Sequence, residues 1–247
     1  GELHPLFSNG GNTSYHGLQM TFSKRYARGI TFEGNYTFAK NLAHDESHMD
    51  SYNLALSKSV TSNHIPHRFV FSGVYELPFG RGRKFAGNMS RAADLLVGGW
   101  QVNGILTIQS GTPLQIGANN TIGLFTKAAR ANNNGRSGAR SGDVRDRLNG
   151  YFDQSVFSQP APFTFGNLGT RLPDILSHYV NNVDLSLFKQ FSLSEKTRLQ
   201  FRAESFNGFN RVQFGGINTT VTSGSFGFVT SQANSPRQLQ FGLKFLF

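Results

Sequence analysis

At 247 residues the chain is long enough for one or two well-cored domains. Its mean hydropathy is −0.33, and no apolar run approaches the roughly eighteen residues a spanning helix needs, which excludes a helical membrane protein. The absence of cysteine leaves neither a disulfide framework nor a thiolate metal site. A formal charge of +10 admits nucleic acid, an anionic membrane surface or an acidic ligand as partner. Phe 24, Tyr 7 and Gly 28, among abundant Asn, Gln, Ser and Thr, suit an all-β chain with many turns.

The opening Gly1-Glu-Leu-His carries neither an initiator Met nor a basic-then-apolar leader, so a processed protein or a piece of a longer one is expected, with strand counting favouring the piece. After a loop containing Gly10-Gly-Asn-Thr-Ser14, a first strand is predicted from about Tyr15 to Arg25, with Leu18, Met20 and Phe22 opposite Gln19, Thr21 and Ser23. Tyr26-Ala-Arg-Gly29 reads as a tight turn in which glycine supplies a positive φ. A second strand, Ile30 to Lys40, sets Ile30, Phe32, Gly34, Tyr36 and Phe38 against Thr31, Glu33, Asn35 and Thr37. Residues 41–66 have no period and read as a long loop.

The third strand, His67 to Pro78, alternates Phe69, Phe71, Gly73, Tyr75 and Leu77 with Val70, Ser72, Val74 and Glu76, and Pro78 stops it because it cannot donate to a ladder. The fourth, about Leu95 to Ser110, carries Trp100, Val102, Gly104, Leu106 and Ile108 on one face. The longest connection, 111–180, holds a glycine- and asparagine-rich basic run from Lys127 to Arg147. No stacking aromatic interrupts that run, so it reads as a solvated mobile loop and not as a nucleic-acid site. A fifth strand, Asn181 to Phe191, shows Val183, Leu185, Leu187 and Phe191 together, and a sixth, Lys196 to Phe206, sets Leu199, Phe201 and Ala203 against Arg198, Gln200, Arg202 and Glu204. A loop from Asn207 to Ser235 leads to the closing strand, where Leu239, Phe241, Leu243, Phe245 and Phe247 recur at a strict period of two. Ending the chain on that apolar row fits a strand standing in lipid with its end at the interface.

Two regularities separate a membrane barrel from a soluble sandwich. Links are shorter after strands one, three and five and longer after two, four and six, so all long connections fall on one side. The runs are near the nine to eleven residues a tilted spanning strand needs, against about five or six in soluble sheets. Glu33, Glu76, Asp184, Arg198, Arg202, Glu204 and Lys244 all oppose the apolar row and are assigned to the lumen. Lys24, Lys189 and Arg237 share the apolar face near strand ends, where a long side chain can snorkel. The predicted fold is therefore all-β: a partial antiparallel transmembrane β-barrel of about seven long strands, with short periplasmic turns and long extracellular loops, open as an isolated fragment.

Motifs for chemistry are sparse. His44-Asp-Glu-Ser-His48 with Asp50 is the one dense set of metal-ligating residue types, but it is not H-E-x-x-H and lies in a loop, so no metal site is expected. Gly80-Arg-Gly-Arg-Lys84 reads as a turn before it reads as a phosphate cradle. The lumenal Arg198, Arg202 and Glu204 suit either a polar solute or a charge ladder in a water-filled interior. No catalytic residue and no cofactor are expected.

Several stretches, in consistent order over nearly the whole chain, resemble the C-terminal barrel of TonB-dependent outer-membrane transporters, in particular the Oar-like branch. They include Gly17-Leu-Gln-Met-Thr-Phe-Ser-Lys-Arg25, Tyr75-Glu-Leu-Pro-Phe-Gly80, Gly99-Trp-Gln-Val-Asn-Gly-Ile105, Gln109-Ser-Gly-Thr-Pro113, Val183-Asp-Leu-Ser-Leu-Phe-Lys189 and Leu199-Gln-Phe-Arg-Ala-Glu-Ser-Phe-Asn207. The resemblance implies residence in the outer membrane of a Gram-negative bacterium, among lipid and lipopolysaccharide, and active uptake of a scarce or large solute. It further implies energy coupling to an inner-membrane TonB complex through an N-terminal region not in this chain. Phe241, Phe245 and Phe247 look like the signal read by the barrel-assembly machinery. On this reading residues 1–247 form the last part of a transporter barrel, plug and earlier strands being absent. The competing expectations are a small outer-membrane channel or adhesin barrel, and a secreted soluble β-protein binding an anionic partner.

Overall fold

The computed structural model describes residues 11–44, 49, 53–122, 129–194 and 197–247. In chain order the strands are β1 (Thr13–Ala27), β2 (Ile30–His44), β3 (Lys58–Val60), β4 (His67–Glu76), β5 (Trp100–Gln109), β6 (Asn132–Asn133), β7 (Phe157–Ser158), β8 (Val180–Ser192), β9 (Arg198–Phe206), β10 (Phe214–Ile217), β11 (Val229–Gln232) and β12 (Gln238–Leu246). The long ones form one antiparallel sheet in the order β1-β2-β4-β5-β8-β9-β12, with β3 added beside β2. Every long strand therefore pairs with its sequence neighbour among the long strands in an up-and-down pattern, but the expected alternation of link lengths fails at one place, 77–99 being as long as 45–66. All seven predicted strands are present, and β1 and β12 form the open edges.

Register carries each face across the whole sheet. Phe22 pairs with Gly34, Gly34 with Phe71, Phe71 with Leu106, Leu106 with Val183, Leu187 with Ala203 and Ala203 with Phe241. Directly paired residues share a face, and alternate residues within a strand do too, so Leu18, Phe32, Phe71, Leu106, Leu185, Phe201 and Phe241 lie together and Glu33, Glu76, Asp184, Arg198, Arg202 and Glu204 lie opposite. The β1–β2 hairpin closes on a two-residue turn in which Arg28 (φ 55°) and Gly29 (φ 80°) are both left-handed, and its register shifts by one residue between Lys24 and Ala27, just before the turn. On the apolar face Gly34 has a packing reason: a Cβ there would collide with the Phe22 ring, which also lies 6.3 Å from the Phe69 ring and 6.4 Å from that of Phe71.

The packed core is not in this sheet. Its buried apolar cluster, which includes Ile116, Ala131, Val144, Phe152, Phe157 and Phe226, comes from the connections 110–179 and 207–237. Phe152 is fully buried, with edge-on contacts to Phe157 at 5.7 Å and Phe226 at 5.1 Å. The two connections are stitched by Tyr151 N–H to Gly227 O (2.9 Å), Val229 N–H to Leu148 O (2.7 Å) and Gly117 N–H to Thr219 O (3.0 Å). The small ladders β6–β7 and β10–β11 belong to this unit. The sheet's own apolar row is instead exposed, Leu18 at 54%, Phe241 at 68% and Leu243 at 72%. A soluble fold places its aromatics the other way round.

Three expectations are corrected. The basic run is solvated only in part: Arg136, Arg140 and Arg145 are exposed, but Arg130 is buried, and its guanidinium donates to Leu56 O (2.6 Å), Leu168 O (3.5 Å) and Ser57 Oγ (3.3 Å), tying the Leu54–Ser57 turn to the loop core. Arg147 donates to Tyr151 O (2.5 Å) and Gly142 O (3.3 Å), and Arg140 to Gly150 O (3.3 Å). Polar loops packed on one another bury carbonyls, and the fork of donors on arginine satisfies several at once. Lys127 lies outside the described residues. Second, the fourth strand starts at Trp100, because Leu95–Val97 end a helix, α1 (Arg91–Val97), which Ser90 caps by accepting from Ala93 N–H at 3.2 Å. The link between β4 and β5 is thus a folded unit and not a simple turn. Third, Lys189 does not snorkel to water. It is buried over Trp100 and Phe191, with its ammonium donating to Gly98 O behind α1.

Candidate functional site

The polar face carries several short groups of side-chain hydrogen bonds. Thr21 Oγ1 donates to Asn35 Oδ1 (2.8 Å), Asn35 Nδ2 to Glu33 Oε1 (2.8 Å), and Asn103 of β5 donates its Nδ2 to Ser186 Oγ (3.1 Å), its partner on the neighbouring β8. A cavity of about 500 Å³ lies against this side, bordered by Ser23, Glu33, Ser72, Asn103 and Ser186, as the concave side of a curling sheet requires. Such mutual satisfaction is what makes a row of polar groups tolerable on one side of a membrane-spanning sheet.

The sequence-assigned lumenal residues do not converge on one point. Glu76 accepts from Tyr26 Oη (2.9 Å) and from Arg83 Nη2 (3.3 Å) at the short-link end. Arg202 lies mid-strand, its Nε donating to Gln200 Oε1 (2.8 Å) and its guanidinium 4.8 Å over the Phe188 ring. Glu204 and Arg198 sit on the same strand and face, facing Gln240 and Leu246 of β12 in the register. Asp184 alone reaches the long-loop end, where its Oδ1 accepts from Asn182 Nδ2 and from Asn207 N–H, both at 2.9 Å.

That Asp184–Asn207 contact anchors the mouth. Asn207 takes a left-handed conformation (φ 48°), which asparagine tolerates, and turns the chain out of β9. Its Nδ2 donates to Arg211 O (2.9 Å) and Ser235 O (3.1 Å), and its Oδ1 accepts from Arg211 N–H (2.9 Å), so the two ends of the 207–237 connection are clasped together. Asn210, also left-handed, accepts from Arg237 N–H at 3.0 Å. Between this clasp, the 143–145 and 178–182 segments and the polar face lies a cavity of about 760 Å³. A second cavity of about 470 Å³ sits behind it, and Asp143, His178 and Tyr179 form the wall between the two.

His178 is the central group of that wall. Its ring stacks on Tyr179 (4.4 Å, 25°) and meets Phe214 edge-on at 5.2 Å. It is 9% exposed, and its Nδ1 has no hydrogen-bond partner among the described residues. Burial pushes its pKa below the ordinary histidine value, outweighing the Tyr179 backbone and the nearby Asp143 carboxylate, so the neutral ring predominates at pH 7. Asp143 is held low chiefly by the Arg145 backbone N–H (2.9 Å), which it accepts. Behind them the Tyr151 hydroxyl donates to Leu176 O (2.8 Å), and burial raises its pKa to about 12.

Sequence reasoning placed Asp184 here and missed the rest of the mouth. The aromatic segment Tyr151-Phe-Asp-Gln-Ser-Val-Phe157 was the available signal that the long connection had a core, since large rings in a solvated loop have nothing to pack on. Of the histidine-rich cluster, Asp45, Glu46, His48 and Asp50 lie outside the described residues, and His44 Nδ1 accepts from Asn12 N–H at 3.0 Å. No group of His, Cys, Asp or Glu among the described residues is arranged to hold a metal ion. In the Gly80–Lys84 stretch Arg81 N–H donates to Asp94 Oδ1 (2.8 Å), so a carboxylate of the chain occupies the turn.

A sheet of long up-and-down strands, apolar on one uncovered face and hydrogen-bonded around cavities on the other, defines an integral β-barrel membrane protein. A family model described as an outer membrane beta barrel domain matches residues 4–240, and the chain belongs to that family. Its place is the outer membrane of a Gram-negative bacterium, with β12 running from the long-loop, outer side toward the periplasm. No curated protein and no solved structure matches the chain.

Proposed function

We propose that this chain is part of an outer-membrane receptor that captures a scarce or large solute at the cell surface and imports it actively, in the manner of TonB-dependent transporters of the Oar-like branch. The observation that carries this reading is the walled mouth: the cored unit built from the 110–179 and 207–237 connections sits at one end of the polar face and borders the open cavity of about 760 Å³ there. A simple diffusion channel has no need of a folded, ligand-sized chamber at its entrance. The sequence motifs from Gly17 to Phe247 support the same reading through their resemblance.

In this scheme the open edges of β1 and β12 pair with further strands that complete the barrel, since hydrocarbon tolerates no unsatisfied edge. Lipid and lipopolysaccharide surround the apolar row, the barrel-assembly machinery reads Phe241, Phe245 and Phe247, and a TonB complex supplies the energy through a region outside this chain. The protein is not an enzyme on this reading and uses no cofactor or metal. The test compares cells with and without the gene for depletion of solutes from the medium, with and without a protonophore. A solute whose removal needs both the gene and the proton gradient supports active uptake. Gene-dependent entry that the protonophore leaves unchanged establishes the passive channel instead, and no gene-dependent solute at all overturns uptake.

A further inference from the structure

We propose that the mouth chamber binds a neutral carbohydrate, holding the hydroxyls of a sugar ring against unengaged side-chain amides while aromatic faces cover its apolar C–H side. This deepens the uptake reading by naming the class of solute, and rests on that reading only for the direction of travel.

Charge is the first argument. The ionised groups bordering the chamber are Asp143, Asp184, Arg145 and Arg211, two of each sign, and three are engaged within the protein. Asp143 and Arg145 pair with each other (3.5 Å), and Asp184 is taken up by Asn182 and Asn207. The Arg211 guanidinium lies 5.5 Å over the Phe209 ring. With His178 neutral, the wall offers no excess charge for an anion or a cation, unlike a phosphate site, which clusters arginines.

Hydrogen-bonding capacity is the second. Asn181 Oδ1 is buried without a partner, His178 Nδ1 likewise, and the side-chain amides of Gln213 and Gln238 make no hydrogen bond among the described residues. A buried polar group left unmet is costly, so a ligand that satisfies Asn181 Oδ1 and His178 Nδ1 is favoured over one that cannot, and the more open Gln213 and Gln238 amides are free to turn to it. An amide donates and accepts side by side, and so does a pair of neighbouring sugar hydroxyls. Fatty or aromatic solutes would leave these groups stranded.

Shape is the third. Tyr179 and Phe206, both bordering the chamber, are 54% and 44% exposed, which leaves flat apolar faces next to the amides. The volume lies within the usual range of small-molecule sites, about 300–1,000 Å³.

The chemistry is the same whether the sugar is a free oligosaccharide or part of a glycolipid. The complete protein, purified from outer membranes into nanodiscs, is titrated with maltohexaose, xylohexaose and mannohexaose in solution, with each hexaose coupled to a lipid in the disc, and with anionic hexagalacturonate. Saturable binding of at least one neutral hexaose, weakened at least tenfold by Gln213→Ala with Gln238→Ala and unchanged by Gln240→Ala, is expected. Binding only of the lipid-coupled forms assigns the glycolipid source, and binding of the free forms the oligosaccharide. Tighter binding of hexagalacturonate, no binding of any neutral hexaose, or binding indifferent to the glutamine pair overturns the proposal. The protonophore experiment can fail while this one succeeds, because binding to purified protein needs no energy coupling.

Discussion

Replacing Phe152 by Ala separates the two halves of the molecule. The ring is fully buried at the centre of the loop core and meets Phe157 and Phe226 edge-on at 5.7 and 5.1 Å. Truncating a buried Phe to Ala costs about 3–5 kcal/mol, and two lost edge-to-face pairs, each about 0.5–1.5 kcal/mol within that sum, put the cost at its upper end. Since tenfold corresponds to about 1.4 kcal/mol, opening of the outer unit should become roughly a thousandfold easier. Hydrogen exchange on the complete protein in nanodiscs reads this directly. The amides of Tyr151, Leu114 and Val229, all bonded across the loop core at 2.7–2.9 Å, should lose protection, while the amides of β4, β5 and β8 keep theirs. Protection lost equally in the sheet would mean that the loops and strands fold as one unit, and unchanged loop protection would mean that the core is not formed. Either result refutes the division drawn here.

Three further outcomes follow from the same geometry. Phe201→Arg puts a charge on the lipid face at mid-strand and should cost about 2–4 kcal/mol in a refoldable complete barrel, whereas Gln200→Arg, on the polar face, should be nearly neutral in denaturant titrations. Acidification should loosen the outer unit. His178 and His64 both bind protons less readily folded than unfolded, chiefly because burial disfavours their charge, so the stability of that unit is full above the ordinary value of 6.5 and declines as pH falls below it. Protection factors of loop amides, corrected for the base-catalysed intrinsic exchange rate, should thus fall between about pH 7.5 and 5, and His178→Gln should reduce that pH dependence; pH-independent protection in the parent protein contradicts the buried neutral ring. Deleting Phe247, whose ring is 97% exposed and 6.2 Å from that of Phe245, should lower the amount of assembled protein in the outer membrane, while Leu246→Ser on the opposite face should not. Equal effects of the two lesions would remove the special role of the terminal ring.

The sheet was legible in the sequence because a membrane strand must alternate strictly: lipid sees one side and water the other, and no tertiary packing overrides the pattern. Phe32, Phe71, Leu185 and Phe241 therefore announced their face one strand at a time, and pairing only confirmed that the faces coincide. The mouth was not legible, because its residues obey no period. Arg130 looks like any loop arginine until Leu56 and Leu168, distant in sequence, bring their carbonyls to it. His178, Gln213 and Gln238 come from three segments and share a cavity only after the Asn207 clasp has folded the connections together. Likewise Leu95–Val97 fit the apolar pattern of a strand, and the Ser90 cap decided for a helix.

The central claim is that the uncovered apolar face stands in lipid and the opposite face in water. The chain contains no cysteine, so single cysteines placed at each position from Leu199 to Glu204 meet no background from these 247 residues; they are read in the complete protein, with any cysteine elsewhere replaced by serine, reconstituted in lipid vesicles. The measurement is the reaction of each with a water-soluble maleimide, together with quenching of an attached fluorophore by a lipid-borne quencher. Positions 200, 202 and 204 should react with the maleimide and escape the quencher, while 199, 201 and 203 should be quenched and react slowly, alternating residue by residue. Uniform reactivity across all these positions, or quenching without a period of two, would contradict the account.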